Sequence, residues 1–226
     1  MQQIILSNAE TTEVCQSVYD ALIKGEAHPR AVAAVIALAA AEIVQKVGDE
    51  DRDLFIRASH GLLYASAAHN VFSQVQDEEV YNLIFTTAAY INVLNKELSS
   101  QAQGTSQPAA APAASTTVGG GLIAVNQLET LEAQLKEKDL RGAFHTAQRY
   151  LKLGHDARAL FGTISLVAAL NDTTIDQGHS LQIVQAAGEE FISWPRDLAG
   201  TDIDNYLHIA LRAAALGKRD TLISQL

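Results

Sequence analysis

Apolar side chains recur along most of the chain at spacings of three and four, so the pattern predicts α-helix wherever it predicts order. In the first half the stripes predict helices over 9–24, 29–47, 50–75 and 78–98, with Asp49 and Asp77 as N-caps. In the second half they predict helices over 125–138, 140–153, 156–170, 175–194 and 203–216. Gly25, Gly154 and Gly217 stand where C-terminal caps are expected. Alternating β-branched runs are missing and Ala is abundant, which makes the fold class all-α.

The pattern breaks in the middle. Between Glu97 and Glu129 no residue is charged, and residues 101–121 read QAQGTSQPAAAPAASTTVGGG. Pro108 and Pro112 interrupt any helix there, and Gly119, Gly120 and Gly121 carry nothing to pack. The expectation is a flexible linker over 101–121 joining a helical unit at 1–100 to another at 122–226.

The two units share sequence. At an offset of 128, six of the twelve positions in 30–41 are identical, Arg30-Ala31 falling on Arg158-Ala159. An offset of 129 aligns the segments that end at Gly25 and Gly154. At 119, His60, Leu62, Ala67, Ala68 and Phe72 fall on His179, Leu181, Ala186, Ala187 and Phe191. At 125, Tyr81, Ile84, Ala88 and Ala89 meet Tyr206, Ile209, Ala213 and Ala214. The matched blocks keep their order, which predicts an internally duplicated helical bundle with two similar units about a pseudo-two-fold axis.

Composition narrows the function. Sixteen Lys+Arg against 26 Asp+Glu leave a net charge of −10, and no local basic patch offsets it, so nucleic acid and membrane surfaces are not expected partners. The longest apolar run, Ala31 to Ala41, is too short to span a bilayer, and the first residues lack the basic region of a signal peptide. Cys15 is the sole cysteine, which rules out an intrachain disulfide and a Cys-rich metal site. A reducing cytoplasm is the expected compartment.

Motifs for common chemistries are absent: no His-Glu-x-x-His, no Gly-x-Ser-x-Gly, no phosphate-binding loop. Seven histidines remain, at 28, 60, 69, 145, 155, 179 and 208. His60 shares a helical stripe with Tyr64, Ala67 and Val71, and His179 one with Ile183, Ala186 and Glu190, so both are expected on inward faces. His69 lies half a turn from His60 and cannot share its line. His145 shares its stripe with Gln148, Arg149 and Lys152, a polar face, while His208 is accompanied by Leu211, Arg212 and Ala215. Imidazoles facing one another between helices suit zinc, iron or copper, and core imidazoles bonded to neighbouring groups are the alternative. Of the acids, Asp176, Glu189, Glu190 and Glu42 are candidates for burial.

The blocks from His60, from His179 and around His145 to Gly154 resemble the questin oxidase-like family. That resemblance implies an all-helical fold with recurrent His-bearing helices. It also implies non-heme iron oxygenase chemistry on polycyclic aromatic compounds, iron held by several histidines and in one member a carboxylated lysine, and association with Rieske-type ferredoxin domains. By this likeness His145 matches the early-helix histidine, His60 and His179 the histidine opening the later helix of each unit, and His208 a C-terminal one. Gln16 stands where the first unit would carry its early-helix histidine, and no lysine matches the carboxylated position.

The leading expectation is therefore a His-ligated iron oxidoreductase. Its metal would lie on His60, His145, His179 and His208, its substrate would be a small apolar or aromatic ligand, and a ferredoxin-type protein would donate electrons, with homo-oligomer formation left open. The alternative is a non-catalytic helical binding or assembly module with structural histidines.

Overall fold

The computed structural model describes residues 1–48, 51–75, 77–101, 122–171, 177–194 and 203–217. The described residues form helices joined by short turns, with no strand of two or more residues among them. In chain order they are α1 Gln2–Ile5, α2 Thr11–Ile23, α3 Pro29–Gln45, α4 Arg52–Gln74, α5 Tyr81–Gln101, α6 Leu122–Lys136, α7 Leu140–Lys152, α8 Ala157–Ala169, α9 His179–Ser193 and α10 Asp204–Leu216. Most of the linker, 102–121, and the Asp49 cap expected for α4 lie outside the described residues.

Local chemistry sets the helix starts. Pro29 occupies the first turn of α3, where its missing N–H costs nothing, and His28 Nδ1 accepts from the Arg30 amide. Asp51 Oδ1 accepts from the Leu54 amide and starts α4, two residues later than Asp49. Asp139 caps α7 and Asp156 caps α8 in the same manner. At α2 the cap is a Glu10–Glu13 capping box. The expected glycine caps divide: Gly154 takes φ +78° after α7, whereas after α2 the left-handed residue is Glu26, one place beyond Gly25. Gly217 serves close approach instead, since a Cβ there would meet the Asn171 amide.

By contact the chain divides into two compact units, Met1–Ser106 with Glu189–Tyr206, and Gln107–Gly188 with Leu207–Leu226. The simple halves expected from the linker thus exchange a segment: the last turn of α9 and the start of α10 belong with α1–α5.

In the first unit α3 is the central element, touching α1, α2, α4 and α5. The run Ala31 to Ala41 is apolar nearly all round, and Val32 to Ala34, Ile36 to Ala41, Ile43 and Val44 are buried, which is what an enclosed helix requires. Small residues let its neighbours approach: Gly61 of α4 lies under Leu94 and Ile91 of α5, with Ala40 of α3 beyond. The segment after α1 is fastened by α5, whose Asn92 Nδ2 donates to the Ile5 and Ser7 carbonyls and Asn95 Nδ2 to that of Leu6.

The second unit packs α6, α7 and α8 against one another, with Leu131, Leu135, Ala143, Ala147, Leu160 and Ile164 in its interior. Asn171, just past α8, donates through Nδ2 to the Ala214 carbonyl near the end of α10 and so satisfies a terminal helix acceptor. No described helix is long and apolar enough to cross a membrane.

Candidate functional site

The first unit buries an ionisable pair, His69 of α4 with Glu190 of α9. His69 Nδ1 lies 3.0 and 2.9 Å from the two carboxylate oxygens, and the side chains are 7% and 1% exposed. His69 is inward because it belongs to the stripe Phe55, Ala58, Leu62, Ala65, Phe72, all buried at spacings of three, four and seven. Glu190 is the one buried member of the acids named from the sequence: Glu189 is exposed, Glu42 half-buried, and Asp176 outside the described residues. Beside the pair, Asn70 Nδ2 donates to Glu189, so consecutive residues of α4 bind consecutive residues of α9.

A carboxylate on Nδ1 orients an imidazole and fixes which nitrogen carries the proton when the ring is neutral. Here it also compensates two polar groups removed from water. Tyr206, fully buried in the same unit, adds a third polar group. Burial first, and then the Glu190 charge, hold its phenol well above its ordinary pKa of 10.0. Among the described residues its hydroxyl has no hydrogen-bond partner, and neither have the buried Ser66 Oγ on α4 and Trp194 Nε1 following α9.

The histidines assigned to a metal stand elsewhere. His60 lies mid-α4 and is exposed, as are Tyr64 and Ala67 of its stripe, so its expected inward orientation is corrected: that stripe is the outer face of α4. The physical reason is that the opposite stripe, which carries Phe55, Leu62, Phe72 and the close-packing Gly61, has more apolar area to bury against α3 and α5. His60 therefore does not open its helix, whereas His179 is the first residue of α9 and half-buried. His145 is half-buried on α7, and His208 is exposed with its ring stacked on Phe144 at 3.6 Å between centroids. His60 belongs to the first unit and the other three to the second. Among the described residues no group of three or more His, Cys, Asp or Glu side chains is placed to hold a metal ion. The described residues therefore group no three such ligands, and no chemistry is routed through iron.

Recesses in the described surface are shallow. One of about 320 Å³ opens beside Ile4, Thr12, Glu13, Gln16, Ser17 and Asp20 of the first unit. Another of about 270 Å³ lies in the second unit, between Leu135, Lys138, Val167, Asn171 and Ala215. Enclosed ligand pockets typically start near 300 Å³ and bury most of their ligand.

No family model, curated protein or solved structure matches the chain.

Proposed function

We propose that this chain is an internally duplicated helical binding or assembly module whose histidines are structural. The observation that carries the reading is the buried His69–Glu190 pair, which commits the one deeply buried imidazole to holding α4 against α9. Other histidines have comparable employment: His28 caps α3, His155 lies against Tyr150 and His208 against Phe144.

Burial phase supports the duplication. Val14 and Val18 of α2 correspond to Ala143 and Ala147 of α7, and Val32, Ile36 and Ala40 of α3 to Leu160, Ile164 and Ala168 of α8, every one buried. For α4 and α9 the buried positions agree better at an offset of 122 than at 119, which sets Leu62 on Val184, Ala65 on Ala187 and Ala68 on Glu190. In that register His60 meets Gln182, so the two histidines aligned at an offset of 119 are not counterparts.

The competing reading, an iron-dependent oxygenase resembling the questin oxidase-like family, requires metal on His60, His145, His179 or His208. Metal analysis of protein purified without a His-tag and exposed to Fe(II) separates the two. The module is expected to retain well under one metal ion per chain; stoichiometric iron removed by His179→Ala would establish the oxygenase reading instead.

A further inference from the structure

The outer face of the α4–α5 hairpin joins exposed aromatic rings to an excess of negative charge. The helices run antiparallel, as successive cross-pairs show: Arg57 with Glu97, Tyr64 with Tyr90, Phe72 with Tyr81. Tyr64 and Tyr90 are each 40% exposed, yet their rings already meet edge to face at 5.4 Å and 82°. One turn away on either helix, His60 and Val93 are also exposed, and Val75, eleven residues after Tyr64, extends the face toward the hairpin's tip. Tyrosine contributes wide contact area at low entropic cost, and a pair held ring against ring loses less freedom still when a partner arrives.

Charge indicates the partner's chemistry. From 51 to 101 the hairpin carries Asp51, Asp53, Asp77, Glu78, Glu79 and Glu97 against Arg52, Arg57 and Lys96. The exposed Arg57 is already bonded to Glu97 at 2.8 Å, and Asp51, Asp53 and Glu97 balance Arg52, Arg57 and Lys96 at that end, so the excess lies at the hairpin's tip, where Asp77 and Glu79 are exposed. Such a surface repels acidic segments and attracts basic ones, and the open faces of tyrosine rings receive guanidinium or ammonium groups.

We propose that the Tyr64–Tyr90 face docks an Arg- or Lys-bearing amphipathic segment of a partner protein. The proposal rests on the module reading and names the surface that module uses. The two fail separately: metal content decides the module, while selective binding at Tyr64 and Tyr90 decides the surface.

The test titrates the full chain with a synthetic Leu/Arg amphipathic helix and with a Leu/Glu peptide of identical apolar pattern, following the tyrosine ring resonances. The Leu/Arg peptide is expected to bind at least tenfold more tightly, shifting Tyr64 and Tyr90 first. Tyr64→Ala/Tyr90→Ala should weaken it about tenfold. Should that variant misfold, Val93→Lys weakens and Val93→Glu strengthens the same binding by charge alone. Equal affinity for both peptides, affinity unchanged in these variants, no binding of the Leu/Arg peptide, or self-association that buries Tyr64 in a second copy would each overturn the proposal.

Discussion

His69 and Glu190 stand 121 residues apart in sequence and meet at 2.9 Å inside the first unit, each nearly excluded from solvent. Truncating one member of a buried pair strands the other without a partner, at a cost of about 3–5 kcal/mol. Glu190→Ala and His69→Ala should therefore both lower the unfolding free energy by about that much in chemical denaturation. The double variant His69→Leu/Glu190→Leu should cost less than either single change, because nothing polar remains to be stranded. Additive losses in the double variant would show that the two side chains act independently.

Tyr206 makes stability sensitive to alkali. Its folded pKa is raised above the unfolded value of 10.0 by burial and by the Glu190 charge. The neutral phenol is shared by both states below pH 10, so the stability it permits is fully present there. Above pH 10 the unfolded chain ionises while the folded chain resists, and stability falls as pH rises. The loss approaches about 1.4 kcal/mol per pH unit. Tyr206→Phe should remove that part of the slope between pH 10 and 11. Because the hydroxyl has no partner among the described residues, the same change should be neutral or stabilising by about 1 kcal/mol at pH 7. A clear loss of stability at pH 7 would mean that the hydroxyl does useful bonding.

Gly61 reports on the packing of α4. A Cβ there would lie 2.6 Å from Leu94 Cδ2 and 3.2 Å from Ile91 Cδ1, both in the interior. Overpacking costs about 1–3 kcal/mol, and the helix-propensity gain of alanine over glycine returns roughly 1 kcal/mol. Gly61→Ala is expected to lower the thermal midpoint, and pairing it with Leu94→Ala should recover part of the loss. No recovery would place the strain elsewhere.

Asn92 tests how the N-terminal segment is held. Its amide donates to two carbonyls at 2.9 Å, those of Ile5 and Ser7. Asn92→Ala removes both bonds, which at about 0.5–1.5 kcal/mol each amounts to roughly 1–3 kcal/mol. Amide exchange in residues 4–7 should rise before that of α3; uniform exchange across both would instead indicate global destabilisation.

Much of the fold was legible in the pattern, and its failures have physical causes. Helix boundaries were readable where a cap stands beside a stripe, as at His28-Pro29, Asp139 and Asp156. The four-residue α1 has too few positions to show a period, and its fastening by Asn92 and Asn95 is a tertiary event. The stripe His60, Tyr64, Ala67 and Val71 is free of formal charge and so resembles an inner face, although it carries less apolar area than the true one. The deciding signal was present: Phe55, Leu62, His69 and Phe72 fall on one side together with Gly61. Glu190 could be named as a candidate for burial, but its partner could not, since no local spacing connects α4 to α9.

The central claim is that the histidines hold helices rather than metal, and thermal unfolding of the tag-free chain with and without anaerobic Fe(II) tests it most directly. A ligand that binds only the native state at a hundred times its Kd adds about 2.7 kcal/mol of stability, a shift of several degrees. The expected result is an unchanged midpoint for wild type and His179→Ala alike, with His69→Ala alone strongly lowered. A midpoint raised by Fe(II) in wild type and not in His179→Ala or His145→Ala would contradict it.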